Sequence, residues 1–170
     1  MNDLSRLHKL GYVPDTVVDV GAYKGEWTAG ARALFPHAAF YLFEPVVYPE
    51  LERFKTAQRT TVIHALLGDS VRQVDWYART DHFNTGASVY KELTGLYNDI
   101  EPVKRTMLPL HALLEPYTES MHHILLKIDA QGAELLILEG AKPLLPKIDF
   151  IILELPFFGT YNAGAPSFLE

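Results

Sequence analysis

Four of the five residues in Thr16–Val20 are β-branched, and the two glycines that follow, Gly21 and Gly25, lead into a helical segment at 26–35 that stops before Pro36. An apolar run without polar alternation belongs to a strand buried on both faces. Such a strand needs helices on either side of its sheet. The rest of the chain repeats the theme. "AFYLF" at 39–43 reads as a second strand and "PELERFKTAQR" at 49–59 as a helix with a polar face. "TTVIHALL" at 60–67 reads as a third strand and "HILLKIDA" at 123–130 as a fourth. A helix follows from Ala133 to Lys142, and then a strand at 149–155. The expected fold is therefore α/β: a Rossmann-like, doubly wound, mostly parallel sheet with right-handed crossovers, in one domain over residues 1–170.

The remaining segments fit less regularly. Residues 3–10 form a short helix ending at Gly11, and 108–117 another. Residues 73–79 alternate Val74, Trp76 and Ala78 with polar neighbours, the period of a half-buried, antiparallel strand. Residues 80–108 show no period and are expected to form a long surface loop with a functional role. His122 and His123 are expected on the fourth strand, pointing to opposite faces. His64, on the third strand, reads as a hydrogen-bonded core histidine, so the histidines give no metal pattern.

Composition excludes several classes. The formal charge is −6 and the only adjacent basic pair is Lys104–Arg105, too little to neutralise a nucleic-acid backbone. There is no cysteine, hence no disulfide framework or thiolate metal site. No window has the length of a signal core or a membrane span. The expectation is a soluble, cytoplasmic protein.

Doubly wound sheets bind ligands beyond the carboxyl ends of their strands. Asp19, Glu44, Asp69, Asp129 and Glu154 all fall at or near such ends. A dinucleotide loop needs G-x-G-x-x-G so that the backbone can approach a pyrophosphate. Counting from Gly21, the second and third glycine positions are Tyr23 and Glu26. A carboxylate at the helix start repels a diphosphate, which argues against an NAD-dependent oxidoreductase. Glu44, 23 residues after Gly21, can accept hydrogen bonds from both ribose hydroxyls. Asp19, Gly21, Gly25 and Glu44 together point to S-adenosylmethionine, a nucleoside with a cationic, zwitterionic tail.

"VVDVGAYKGEWT" (17–28), "FEP" (43–45), "ALLGD" (65–69), "NTGAS" (84–88) and "LLKIDAQGAELLILEGA" (125–141) resemble the FkbM-type methyltransferases, in the family's order and across roughly residues 16–156. The resemblance implies a class I, S-adenosylmethionine-dependent enzyme that methylates hydroxyls on sugars, glycans or natural products. It implies that Asp19, Gly21, Ala22, Tyr23 and Gly25 line the methionine part of the cofactor and that Glu44, with Pro45, holds the ribose. Ala65 and Leu66 would lie near the adenine, with Asp69 a neighbour. Asp129 would sit beside the transferable methyl, Glu134 one turn into the next helix, and Asn84 and Ser88 on the substrate side. Gln131 stands where the family often has Glu. Class I sheets normally add two strands after the fifth, so the expected sheet lacks its last two.

Transfer to a hydroxyl needs alignment and a proton sink. Asp129 is the candidate for that role, with helix capping as its bland alternative. Glu134 is either a second acid of the site or a first-turn acid favoured by the helix dipole. Lys127, inside an apolar strand, either pairs with an acid or snorkels. Glu154 is expected to face the acceptor. With no metal assigned, the expected partner is a small-molecule or glycan acceptor. The strand at 149–155 would be an exposed apolar edge through which the chain associates with itself. The competing reading is a non-catalytic module of the same fold that binds the cofactor or a protein.

Overall fold

The computed structural model describes residues 3–79, 84–156 and 161–167. A five-stranded sheet forms its centre. The strands are β1 (Thr16–Val20), β2 (Ala39–Phe43), β3 (Thr60–Ile63), β7 (Ile124–Ile128) and β8 (Ile148–Leu153). They run parallel in the order β3-β2-β1-β7-β8. This is the Rossmann-like α/β arrangement. The order reverses between β1 and β7, so their carboxyl ends frame the switch point.

Each face of the sheet has its own core. Val18, Val20, Leu126 and Ile128 pack with α4 (Leu110–Leu114) and α5 (Glu134–Ala141). Val17, Leu42 and Leu125 pack with α1 (Asp3–Lys9) and α2 (Glu26–Leu34). β1 and β7 are buried along their whole length, as their apolar sequences require. β8 is the edge of the sheet and is partly exposed throughout. The helix at 49–59 is shorter than expected: α3 spans Pro49–Glu52 and a 3₁₀ turn continues it to Thr56.

A second, three-stranded sheet corrects the sequence reading at two places. It joins β4 (Leu66–Gly68), β5 (Arg72–Trp76) and β6 (Val103–Pro109), in the order β4-β6-β5. The expected strand at 60–67 is thus two strands in two sheets. The chain leaves the main sheet at His64, whose ring sits 3.0 Å from the Glu44 carbonyl and 2.7 Å from Glu52 Oε1. β6 lies inside the stretch expected to be irregular, of which residues 80–83 are outside the described residues. β6 pairs antiparallel with β5, so the antiparallel strand expected at 73–79 is present but spans Arg72–Trp76. His122 and His123 precede β7 rather than lie on it. His123 has φ 44° and its ring meets Asp149 at 2.9 Å.

Candidate active site

The loop after β1 is held from two sides. Gly21 and Ala22 donate backbone hydrogen bonds to the Phe43 carbonyl at 2.9 and 3.1 Å. Gly21 has φ 72°, and a Cβ there would lie 1.8 Å from the Asp129 carbonyl oxygen, so only glycine fits. Gly25, at φ 80°, opens α2, and a Cβ there would meet the Phe54 ring at 2.3 Å. Tyr23, between them, has φ 49°, a conformation that costs a non-glycine residue energy. Its N–H donates to Glu44 Oε2 at 2.9 Å, and the Val46 N–H donates to Oε1 at 2.9 Å. Burial raises the Glu44 pKa, and these two donors oppose the rise. Tyr48 stands edge-on to Tyr23 with ring centroids 4.8 Å apart.

Beneath the loop lies a buried ammonium. Asp19 and Lys127 are register partners on β1 and β7 and share the α2 face of the sheet. Lys127 Nζ is 3.3 Å from Asp19 Oδ1, 3.4 Å from Asp129 Oδ2 and 3.0 Å from the Gly21 carbonyl. The lysine does not snorkel: it is 5% exposed, and Asp19 is fully buried. Thr28 of α2 donates to Asp19 Oδ2 at 2.5 Å. Burial raises the Asp19 pKa; Lys127 and Thr28 pull it down. Asp129 follows β7, and its Oδ1 accepts from Gln131 Nε2 at 3.2 Å.

Two cavities adjoin at the carboxyl edge of the sheet. The first, of about 290 Å³, receives Gly21, Tyr23, Glu44, Pro45, Ala65 and Leu66, and also Asn84, Asp129 and Glu154. Tyr48, Trp76, Val89 and Ile137, which sequence reasoning missed, complete its apolar wall. The second, of about 400 Å³, is lined by Glu92, Thr94, Glu134, Tyr161 and Asn162, among others. Thr85, Gln131 and Glu154 line both.

Several expected site residues stand behind these walls, and others that line them also hold them together. Asp19, Ala22, Gly25 and Lys127 support the loop without lining either cavity. Asp69 is at the surface with Arg72 Nε 3.1 Å away; burial pushes its pKa up, but the Arg72 contact outweighs this and holds it low. Glu134 begins α5 and is buried. Its Oε1 accepts the N–H groups of Ala130 and Gly132 at 2.9 and 3.1 Å. Burial raises its pKa, and those bonds lower it. Asn84 and Ser88 anchor the loop they bound. Asn84 Oδ1 accepts the Arg79 N–H at 2.8 Å, and Ser88 Oγ donates to the Gln131 carbonyl at 2.8 Å. Asn84 itself and the residues between the anchors, Thr85, Gly86 and Ala87, reach the cavities.

The sequence profile of the methyltransferase FkbM domain matches residues 19–170. The chain belongs to the FkbM methyltransferase family. Its fold is similar to the crystal structure of a methyltransferase FkbM from Methylobacillus flagellatus KT, with 18% sequence identity and a TM-score of 0.48. That match covers 76% of this chain and 29% of the other. No curated protein matches it.

Among the described residues no helix of this FkbM-family chain is long and apolar enough to cross a membrane. No group of three or more His, Cys, Asp or Glu among them could hold a metal ion. The first cavity has three carboxylates, Glu44, Asp129 and Glu154, and no lysine or arginine among its described lining. That donor set repels a diphosphate and suits a ligand with positive charge and hydroxyl donors.

Proposed function

We propose that this chain uses S-adenosylmethionine to methylate a hydroxyl on an uncharged sugar, glycan or natural-product small molecule. The observation that carries the reading is the pair of adjoining cavities with a shared rim of Thr85, Gln131 and Glu154. A group-transfer enzyme needs two ligands held with their reacting atoms in contact, and alignment alone supplies much of the rate.

The cofactor, when bound, supplies a methyl group on a positively charged sulfur. The first cavity fits it. Glu44 has both oxygens already oriented by backbone N–H groups, which prepares the remaining lone pairs for ribose hydroxyls. Ala65, Leu66 and Trp76 offer an apolar wall to a base. Asp129 and Glu154 put negative charge beside a sulfonium. The second cavity is polar and acidic, with no basic residue among its described lining, which favours an uncharged acceptor over a phosphorylated one. Glu134 fixes the loop between the cavities by holding two of its N–H groups. The soluble, cytoplasmic setting expected above is part of the same proposal.

Calorimetric titration with S-adenosylmethionine and S-adenosylhomocysteine, with NAD as control, tests the reading. Micromolar binding is expected, and Glu44→Ala should weaken it about ten-fold or more, roughly 1.4 kcal/mol. NAD binding, or a folded Glu44→Ala variant with unchanged affinity, would refute the assignment of this cavity.

A further inference from the structure

Transfer to a hydroxyl leaves a proton that must go to a group at the point where the two cavities meet. Two carboxylates of the first cavity lie near that point, Asp129 and Glu154. Their surroundings differ. Both oxygens of Asp129 are engaged: Oδ1 accepts from Gln131 Nε2 at 3.2 Å, and Oδ2 lies 3.4 Å from Lys127 Nζ. Lys127 is buried, and its other carboxylate, Asp19, is shared with Thr28. Protonating Asp129 would remove half the negative charge that balances a buried ammonium, and that is costly. Asp129 is therefore already committed to this cluster.

Glu154 is placed differently. Its backbone N–H donates to the Ile128 carbonyl at 3.1 Å, which fixes it next to the end of β7. Among the described residues no lysine or arginine lies within ion-pair distance of its carboxylate. It is the one acid of the three residues that line both cavities. We propose that Glu154, rather than Asp129, takes the proton of the acceptor hydroxyl. This rests on the methyl-transfer reading above. The acceptor oxygen forms its bond to the methyl carbon as the carbon–sulfur bond breaks, with that electron pair staying on sulfur. The hydroxyl proton passes to the Glu154 carboxylate and leaves to solvent with the product.

Charges facing Glu154 favour this exchange. Asp129 raises its pKa most, through its charge and through a side-chain hydrogen bond between the two carboxyl groups; burial and Glu134 raise it further, and Lys127 opposes them. A positively charged ligand in the first cavity should then drive a proton off Glu154. Titrating the 170-residue chain with S-adenosylmethionine across a series of pH values from the ordinary glutamate range upward, in two buffers of different ionisation enthalpy, reads that proton directly. The wild type is expected to release a measurable fraction of a proton per ligand bound. Glu154→Gln should still bind, with that release lost. In ¹³C-glutamate-labelled free protein, one carboxyl missing from the Glu154→Gln spectrum should titrate above the ordinary glutamate range, and Asp129→Asn should bring it down. Binding with undiminished proton release in Glu154→Gln, no release in the wild type, or an ordinary titration of the Glu154 carboxyl would overturn the assignment to Glu154 while leaving the cofactor reading intact. A wild-type chain that binds no S-adenosylmethionine would overturn the cofactor reading and this step with it.

Discussion

Lys127 shows how much a single side chain sets at this site. Its ammonium sits between Asp19 and Asp129 with almost no access to water. Lys127→Met removes the cation and leaves one fully buried carboxylate and one half-buried one facing each other. Breaking a buried pair in this way costs about 3–5 kcal/mol. Adding Asp19→Asn should return part of that loss, because the neutral amide no longer needs the cation. Urea denaturation of the two variants checks this; a double variant less stable than Lys127→Met alone would refute the pairing. The residues of this cluster were legible in the sequence, but not their direction. β1 is buried at all five positions, so no polar alternation reveals which face Asp19 takes. Only the register of Asp19 against Lys127, set by pairing across 108 positions of chain, puts both on the α2 face. The strand-end acids and the glycine spacing pointed to the cavity beside the loop after β1. They did not distinguish the acids that line it, Glu44 and Asp129, from the one that supports it.

At the scale of elements, legibility followed burial. The strands of the main sheet were readable from their apolar or β-branched runs, although the end of β3 was not located. β6 was not, because Met107 and Pro109 are its only buried residues, and Lys104 faces water in an ion pair with Asp75. The break between β3 and β4 carries no glycine or proline; it is imposed by the bonds that His64 makes with neighbouring elements. The join of β7 to α5 gives a prediction at this scale. Glu134 holds the connecting loop through two N–H groups, so Glu134→Ala should cost about 1–3 kcal/mol, the usual effect of leaving buried donors unpaired. Glu134→Gln keeps an acceptor oxygen and should cost less. The pH dependence has a definite sign. The folded protein raises the Glu134 pKa above its ordinary 4.5, so it binds more protons than the unfolded chain. This contribution is fully present below pH 4.5 and is lost as pH rises through the folded value. Burial of Glu44 and Asp19 acts in the same direction. Urea midpoints should therefore fall as pH rises out of the weakly acidic range, with a shallower fall in Glu134→Gln. An equal slope in both proteins would show that Glu134 does not titrate in that window.

At the scale of the whole molecule, the main sheet closes differently at its two edges. β3 is a short edge strand of partly buried residues with the chain turning across it at His64. β8 offers a longer and more apolar edge: Phe150 and Ile151 are each 41% exposed, and no described strand pairs with its outer side. The Phe150 ring meets the Tyr12 ring in a T-shaped contact with centroids 4.6 Å apart. An exposed apolar strand with unpaired N–H and C=O groups is a template for another strand. The 170-residue chain in isolation should therefore self-associate, with β8 of one copy against β8 of another. A charge at the centre of the strand opposes that contact: Ile151→Lys points into solvent, leaves the β7 pairing intact and should shift the chain toward monomer. Light scattering across a concentration series reads the difference. Because Glu154 follows β8 directly, the same contact would bring a second copy close to the shared rim of the two cavities, and S-adenosylmethionine affinity should then depend on protein concentration in the wild type but not in Ile151→Lys. A monodisperse wild-type monomer at high concentration would refute both statements.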